Sequence, residues 1–139
     1  MTRGIVHHID LSVTDTALAC AFYEAVLGFM GYVPGHRRDD GGRDFDLAKP
    51  DGNFSSIGIR ASEGDNAARA HDRYAPGLHH IAWRAESRGE VDALHTLLQT
   101  IGANVTDAPA DYPEYGNGYY AVFFADPDGL KLEFVYLPS

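Results

Sequence analysis

Two imidazoles and one carboxylate occupy positions in this chain that suit them to hold a metal ion. His7-His8-Ile9 recurs as His79-His80-Ile81, 72 positions further on. Each string opens a strand-like run, Ile5 to Val13 and Leu78 to Ala85. Side chains in a strand alternate between two faces. That alternation puts His8, Asp10 and Ser12 on one face and His7, Ile9, Leu11 and Val13 on the other. It likewise sets His80, Ala82 and Arg84 against His79, Ile81, Trp83 and Ala85. In the last run, Lys131, Glu133 and Val135 oppose Leu130, Leu132, Phe134 and Tyr136. The apolar faces must pack on helices, since nothing else in so short a chain covers them. His8, His80 and Glu133 fall on the opposite faces. Two imidazoles and one carboxylate are a donor set for a divalent metal ion, and three protein ligands leave coordination positions for water or substrate.

The neighbours of these residues admit more than one use. Glu133 shares its face with Arg60, Arg84 and Lys131, so an ion pair competes with metal ligation, and the same cations suit steering an anionic substrate. Asp10 suits orienting a ligand, taking a proton, or a hydrogen bond to the next strand. The segment Tyr112 to Tyr120 is rich in aromatic residues and glycine, the chemistry of a lid with apolar grip. Within and beside it, Tyr115, Tyr119 and Phe123 are candidate substrate contacts, and Tyr120 joins Asp10 as a candidate proton carrier. Arg37 to Asp44 mixes both signs of charge around Gly41-Gly42 and reads as a solvated hairpin.

The elements that must position these groups repeat as well. Each first strand is followed by a helical pattern. In one, Thr14 or Asp15 is the cap, and Ala17, Leu18, Ala21, Phe22, Ala25, Val26 and Phe29 recur at helical spacing. In the other, Ser87 caps, Glu90 stands three residues on, and Val91, Leu94, Leu97, Leu98 and Ile101 form the stripe. Gly28 and Gly102 are the expected left-handed helix ends. Three strand candidates follow each helix: 32–35, 45–49 and 54–61, then 104–108, 119–125 and 130–136. Asp126-Pro127-Asp128-Gly129 is a tight-turn sequence. The expected fold is α+β, with two βαβββ modules at 1–62 and 78–139 and a connector at 63–77 that has room for a short helix. The helices are expected to cover the apolar faces, leaving the opposite faces to line whatever the sheet curls around.

Composition bounds the function. The 139 residues carry 11 Lys and Arg against 20 Asp and Glu, a net charge of −9, which argues against a nucleic-acid partner because that affinity rests on clustered Lys and Arg. A single cysteine, Cys20, excludes an internal disulfide framework. The most apolar run, Ala17 to Met30, is interrupted by Glu24 and is shorter than the roughly 18 residues of a membrane span. No membrane partner and a cytoplasmic location are expected.

Several strings here resemble the vicinal oxygen chelate superfamily of glyoxalases, bleomycin-resistance proteins and extradiol dioxygenases. They are His8-Ile9-Asp10-Leu11-Ser12-Val13, Phe22-Tyr23-Glu24-Ala25-Val26-Leu27-Gly28, His80-Ile81-Ala82-Trp83 and Asp126-Pro127-Asp128-Gly129-Leu130-Lys131-Leu132-Glu133. The resemblance spans nearly the whole chain and is nearest to a small, poorly characterised bacterial branch. It implies that the two βαβββ modules form a U-shaped mixed sheet around a metal, with helices on the outer face. It implies that His8, His80 and Glu133 hold a divalent ion (iron, manganese, nickel or zinc), with Gly58 at a vacant fourth position. It further implies a homodimer in which His8 of one chain meets His80 and Glu133 of the other. The implied activity is that of a metal-dependent lyase, isomerase or dioxygenase acting on a small oxygen-chelating substrate. Arg60, Arg84 or Lys131 would fix an anionic end of that substrate. The alternative is a metal-free protein that sequesters a small molecule such as a drug. Gly58 departs from glyoxalase I, which carries an acidic or amide ligand there, and Asp10 departs from the threonine usual in fosfomycin-resistance transferases.

Overall fold

A computed structural model describes residues 3–139. Its elements in chain order are β1 (His8–Val13), α1 (Thr16–Phe29), β2 (Val33–Arg37), β3 (Arg43–Ala48), β4 (Phe54–Ala61), β5 (His80–Arg84), α2 (Arg88–Thr100), β6 (Asn104–Asp111), β7 (Tyr120–Ala125) and β8 (Lys131–Tyr136). The chain divides into two compact units, the first ending at Arg69 and the second running Ala70–Ser139. Each holds one four-stranded mixed sheet, in the order β1-β4-β3-β2 in the first and β5-β8-β7-β6 in the second. In both, the first strand pairs in parallel with the last, and the other pairings are antiparallel. The duplication read from two three-residue strings is thus a duplication of topology. The connector contains one short 3₁₀ turn, Gly64–Asn66.

Each helix covers one face of its own sheet, and local chemistry sets its ends. Asp15 caps α1, its Oδ1 accepting from the Leu18 amide at 3.0 Å. The Ser87 hydroxyl accepts from the Glu90 amide at 3.1 Å at the start of α2, while Glu90 Oε2 accepts from the Glu86 amide at 2.7 Å. The reciprocal bond therefore falls one residue before the cap of the standard box. On α2 the expected stripe is buried at Val91, Leu94 and Leu98, while Ile101 is exposed. On α1 the buried set is Ala19, Phe22, Tyr23, Val26 and Leu27, rotated from the expected stripe, and Leu18 and Phe29 are exposed. The helix is apolar around much of its circumference, so spacing alone leaves its rotation open, and packing buries the large Tyr23 instead. Its left-handed end residue is Gly31, at φ 99°, and not Gly28, which is helical.

The second sheet carries the buried carboxylate, Glu133. β8 packs Leu132 and Phe134 into the core together with Phe124 and Val122 of β7. Burial of each such side chain contributes about 1.5–3 kcal/mol. The turn into β8 is fixed by Asp126, whose Oδ1 accepts from the amides of Asp128 and Leu130, both at 2.9 Å. Gly129 takes the positive φ of 84° that the turn requires. β6 holds Pro109 and pairs irregularly with β7, tolerable because it is an edge strand. No helix among the described residues is long and apolar enough to cross a membrane.

Candidate functional site

Strand register assembles the site in the second unit. Ala82 of β5, Glu133 of β8 and Phe123 of β7 stand side by side, and His80 lies beside Lys131 one pleat along. Glu133 is only 3% exposed although it lies on the face away from α2. A carboxylate so deeply placed needs partners, and the described residues supply two. Tyr119 donates its hydroxyl to Oε2, and His80 Nε2 lies 3.5 Å from Oε1. Burial first, then the hydrogen bond to Glu133 and that group's charge, push the Tyr119 phenol well above its ordinary range. Tyr119 therefore remains a protonated donor at any physiological pH. Among the described residues Glu133 makes no ion pair with Arg60, Arg84 or Lys131, and the His80 imidazole stands beside it instead.

His79 stands just ahead of β5, and its Nδ1 is 2.8 Å from the Nδ1 of His80. The first unit repeats the arrangement, with His7 and His8 Nδ1 atoms 3.0 Å apart. Alternation places His7 and His79 toward the helices, but it governs only residues inside a ladder, and both strands begin one residue later. Each first imidazole instead turns edge-on to the second. Desolvation, followed by the charges of His80 and Arg73, lowers the pKa of His79, which favours its neutral form.

An open cleft of about 370 Å³ runs over Glu133 and His80. His79, Tyr115, Tyr119, Phe123 and Lys131 form its other walls, and the last four are expected substrate contacts brought together. The Lys131 ammonium lies 4.7 Å from the Phe123 ring centroid. Tyr115 sits at the end of a 3₁₀ turn, Pro113–Tyr115. That segment is pinned by backbone bonds from Tyr112 N to Tyr119 O at 2.9 Å and from Tyr119 N to Gly116 O at 3.2 Å.

Other expected residues lie elsewhere. Tyr120 points to the helix side of β7, donating to Asp92 Oδ1 at 2.6 Å beneath the Arg88 guanidinium, whose Cζ is 3.9 Å from the ring centroid. It is one residue out of phase with Tyr119 and Phe123, so strand alternation removes it from the cleft. Arg84 donates to the Leu137 carbonyl at 3.2 Å. In the first unit Asp10 is ion-paired with Arg60, Nε to Oδ2 at 2.9 Å, and with Arg38, Nη2 to Oδ1 at 3.5 Å. Arg38 also holds Asp44 at 2.6 Å. The hairpin read as solvated thus turns one guanidinium onto the sheet face.

These ion pairs surround Gly58, the counterpart of Glu133 in the first module. A Cβ at Gly58 would come within 2.3 Å of Asp10 Oδ1, 2.8 Å of Arg38 Nη2 and 3.0 Å of Asp44 Oδ1. The position without a side chain is filled by Asp10, Arg38 and Asp44. Among the described residues no three His, Cys, Asp or Glu side chains gather into one metal-holding group. His80 and Glu133 form a pair in the second unit, and His8 belongs to the first.

The fold and its paired modules agree with what known proteins show. Residues 5–134 match the Glyoxalase/Bleomycin resistance protein/Dioxygenase superfamily. The chain belongs to that superfamily. As a superfamily member it is 31% identical over 130 residues to the uncharacterised protein YqjT of Bacillus subtilis (strain 168), covering 94% of this chain and 97% of that one. A solved structure of a candidate glyoxalase from Bacillus halodurans superimposes with a TM-score of 0.80 at 26% identity, covering 97% of each chain. Lactoylglutathione lyase from Agrobacterium tumefaciens shares the fold at a TM-score of 0.66 and 21% identity, covering 98% of this superfamily member and 96% of the lyase.

Proposed function

We propose that this protein is a metal-dependent enzyme acting on a small, oxygen-chelating substrate, with His80 and Glu133 of one chain and His8 of a second copy as the ligands of a divalent ion. One observation carries the reading: a nearly buried carboxylate whose Oε1 stands 3.5 Å from an imidazole Nε2. Two donors each about 2.1 Å from a tetrahedral ion are themselves about 3.4 Å apart, so the observed spacing fits a shared ion. The donor types suit iron, manganese, nickel or zinc. Such an ion, when bound, acts as a Lewis acid toward a substrate oxygen.

The chain's own residues supply the rest. Tyr119 donates to Oε2 of Glu133 and so orients the carboxylate, the support metal ligands usually receive from a neighbouring group. Its raised pKa makes it a proton holder in the resting protein. Lys131 fixes an anionic end of the substrate, and Tyr115 and Phe123 grip its apolar part. Asp10 and Arg60 neutralise each other, and their pairing supports an architectural role in the first module.

Metal analysis of untagged protein tests the reading. After reconstitution with iron, manganese, nickel or zinc, close to one equivalent per chain is expected, with Glu133→Ala losing it while retaining its circular dichroism. Less than about a tenth of an equivalent would overturn the proposal and favour sequestration of a small molecule. Co-refolding His8→Ala with Glu133→Ala restores part of the metal content only if the site is shared between chains.

A further inference from the structure

The walls of the second-unit cleft select a shape and a charge. At about 370 Å³ it lies near the low end of the roughly 300–1,000 Å³ typical of small-molecule sites, room for a ring or two within its walls. Its apolar wall is aromatic. Tyr115 and Tyr119 meet at 66° with centroids 5.5 Å apart, and Tyr112 backs Phe123 edge-on at 5.3 Å. Tyr112 also stacks on Tyr115, 20° from parallel at 5.7 Å. One face of Tyr115 is therefore supported from behind while the side chain remains 62% exposed. The Tyr119 hydroxyl is taken by Glu133, so this residue offers the cleft its ring.

The charges are as selective. Glu133 is engaged on both oxygens. Lys131 forms no ion pair among the described residues and rests over the Phe123 ring. Its ammonium is the charge left for a ligand. An aromatic wall also suits an organic cation, but Lys131 already covers the Phe123 face and repels a second positive charge.

We propose that the ligand is a flat aromatic anion, of benzoate size or somewhat larger, with its ring against Tyr115 and Tyr119 and its anionic group on Lys131. This rests on the reading of the cleft as the substrate site, and not on the ion itself.

Calorimetric titration of the full chain, with zinc and separately with a chelator, tests it with three probes: benzoate, cyclohexanecarboxylate and benzyltrimethylammonium. Benzoate is expected to bind about 3–10-fold more tightly than its saturated counterpart, the size of one ring–ring contact, and the cation to bind more weakly than either. Lys131→Met is expected to weaken benzoate about tenfold or more. Tyr115→Leu, at an exposed position, is expected to narrow the gap between benzoate and cyclohexanecarboxylate with the fold intact. Equal binding of the two carboxylates, preference for the cation, or no binding of any probe in either condition would overturn the proposal. Failure to bind zinc, with the ring and charge preferences retained, would overturn the metal reading alone.

Discussion

The Nδ1 atoms of His79 and His80 lie 2.8 Å apart, and the Nδ1 atoms of His7 and His8 repeat the contact at 3.0 Å in the other module. A neutral imidazole carries one N–H and one lone pair, so each contact holds a single proton. If His80 gives the lone pair of Nε2 to an ion, its proton sits on Nδ1 and His79 must accept it. Groups that orient a ligand in this way typically matter about 10–100-fold in metal affinity. His79→Phe is expected to weaken zinc binding by that factor, and His79→Asn, whose amide oxygen also accepts, to recover most of it. Titration of the metal-free variants, with circular dichroism as the fold control, checks this. Equal affinity in His79→Phe and wild type would make the contact incidental.

Tyr119 and Glu133 form the most buried polar pair of the cleft. Tyr119→Phe keeps the ring and removes the hydroxyl, leaving a 3% exposed carboxylate without its phenolic donor. Loss of a hydrogen bond to a charged, buried acceptor costs about 1.5–3 kcal/mol. Urea unfolding at pH 7 is expected to show a lower midpoint with an unchanged slope. Unchanged stability would mean that water or His80 satisfies Oε2 equally well.

What could be read from the chain follows from where period-two alternation applies. His80, Glu133, Tyr119 and Phe123 all lie in or next to regular ladders, so their common face was visible in the spacing, and the same counting excludes Tyr120. His79 precedes its strand, where no ladder dictates orientation, and its contact with His80 depends on a bend that residue types do not encode. Arg38 lies in a hairpin with shifted register, and charge composition alone reads such a segment as solvated. Glu133 and His8 are the converse case. Their residue types fit the metal reading, but the approach of His8 depends on how modules pair, which no local pattern expresses.

Asp40 ties the end of β4 to the β2–β3 hairpin, accepting from the Ala61 amide at 2.9 Å and the Gly42 amide at 2.8 Å. These two bonds, Ala61 first, hold its carboxyl below the ordinary value of 3.8. The folded pKa is thus depressed relative to the unfolded chain. Its stabilising contribution is complete above the unfolded value and is lost as pH falls through the lower folded one. Asp40→Asn is expected to be less stable than wild type at neutral pH, with the two converging as pH falls below the ordinary carboxyl value of 3.8 and on through the lower folded one. Chemical denaturation across that range checks it, and a pH-independent difference would assign the effect to geometry alone.

Gly58 is the residue whose replacement separates the two modules most clearly. A ligand side chain at this position would mirror Glu133, and a search for higher metal affinity would begin with Gly58→Glu. The surroundings oppose it, because the first added carbon already meets Asp10 Oδ1 at 2.3 Å and Arg38 Nη2 at 2.8 Å. Arg38 can swing aside, whereas Asp10 is fixed in β1 opposite Gly58 and tied to Arg60. Gly58→Ala is therefore expected to cost about 1–3 kcal/mol, the usual penalty of forcing carbon into an occupied site. Gly58→Glu also adds a third carboxylate beside Asp10 and Asp44 and should be less stable still. Combining Gly58→Ala with Asp10→Ala removes the closest clash, and the double variant should recover stability relative to the sum of the two single changes, as coupled neighbours do. Strict additivity in that cycle would show that the ion-paired cluster does not govern this position.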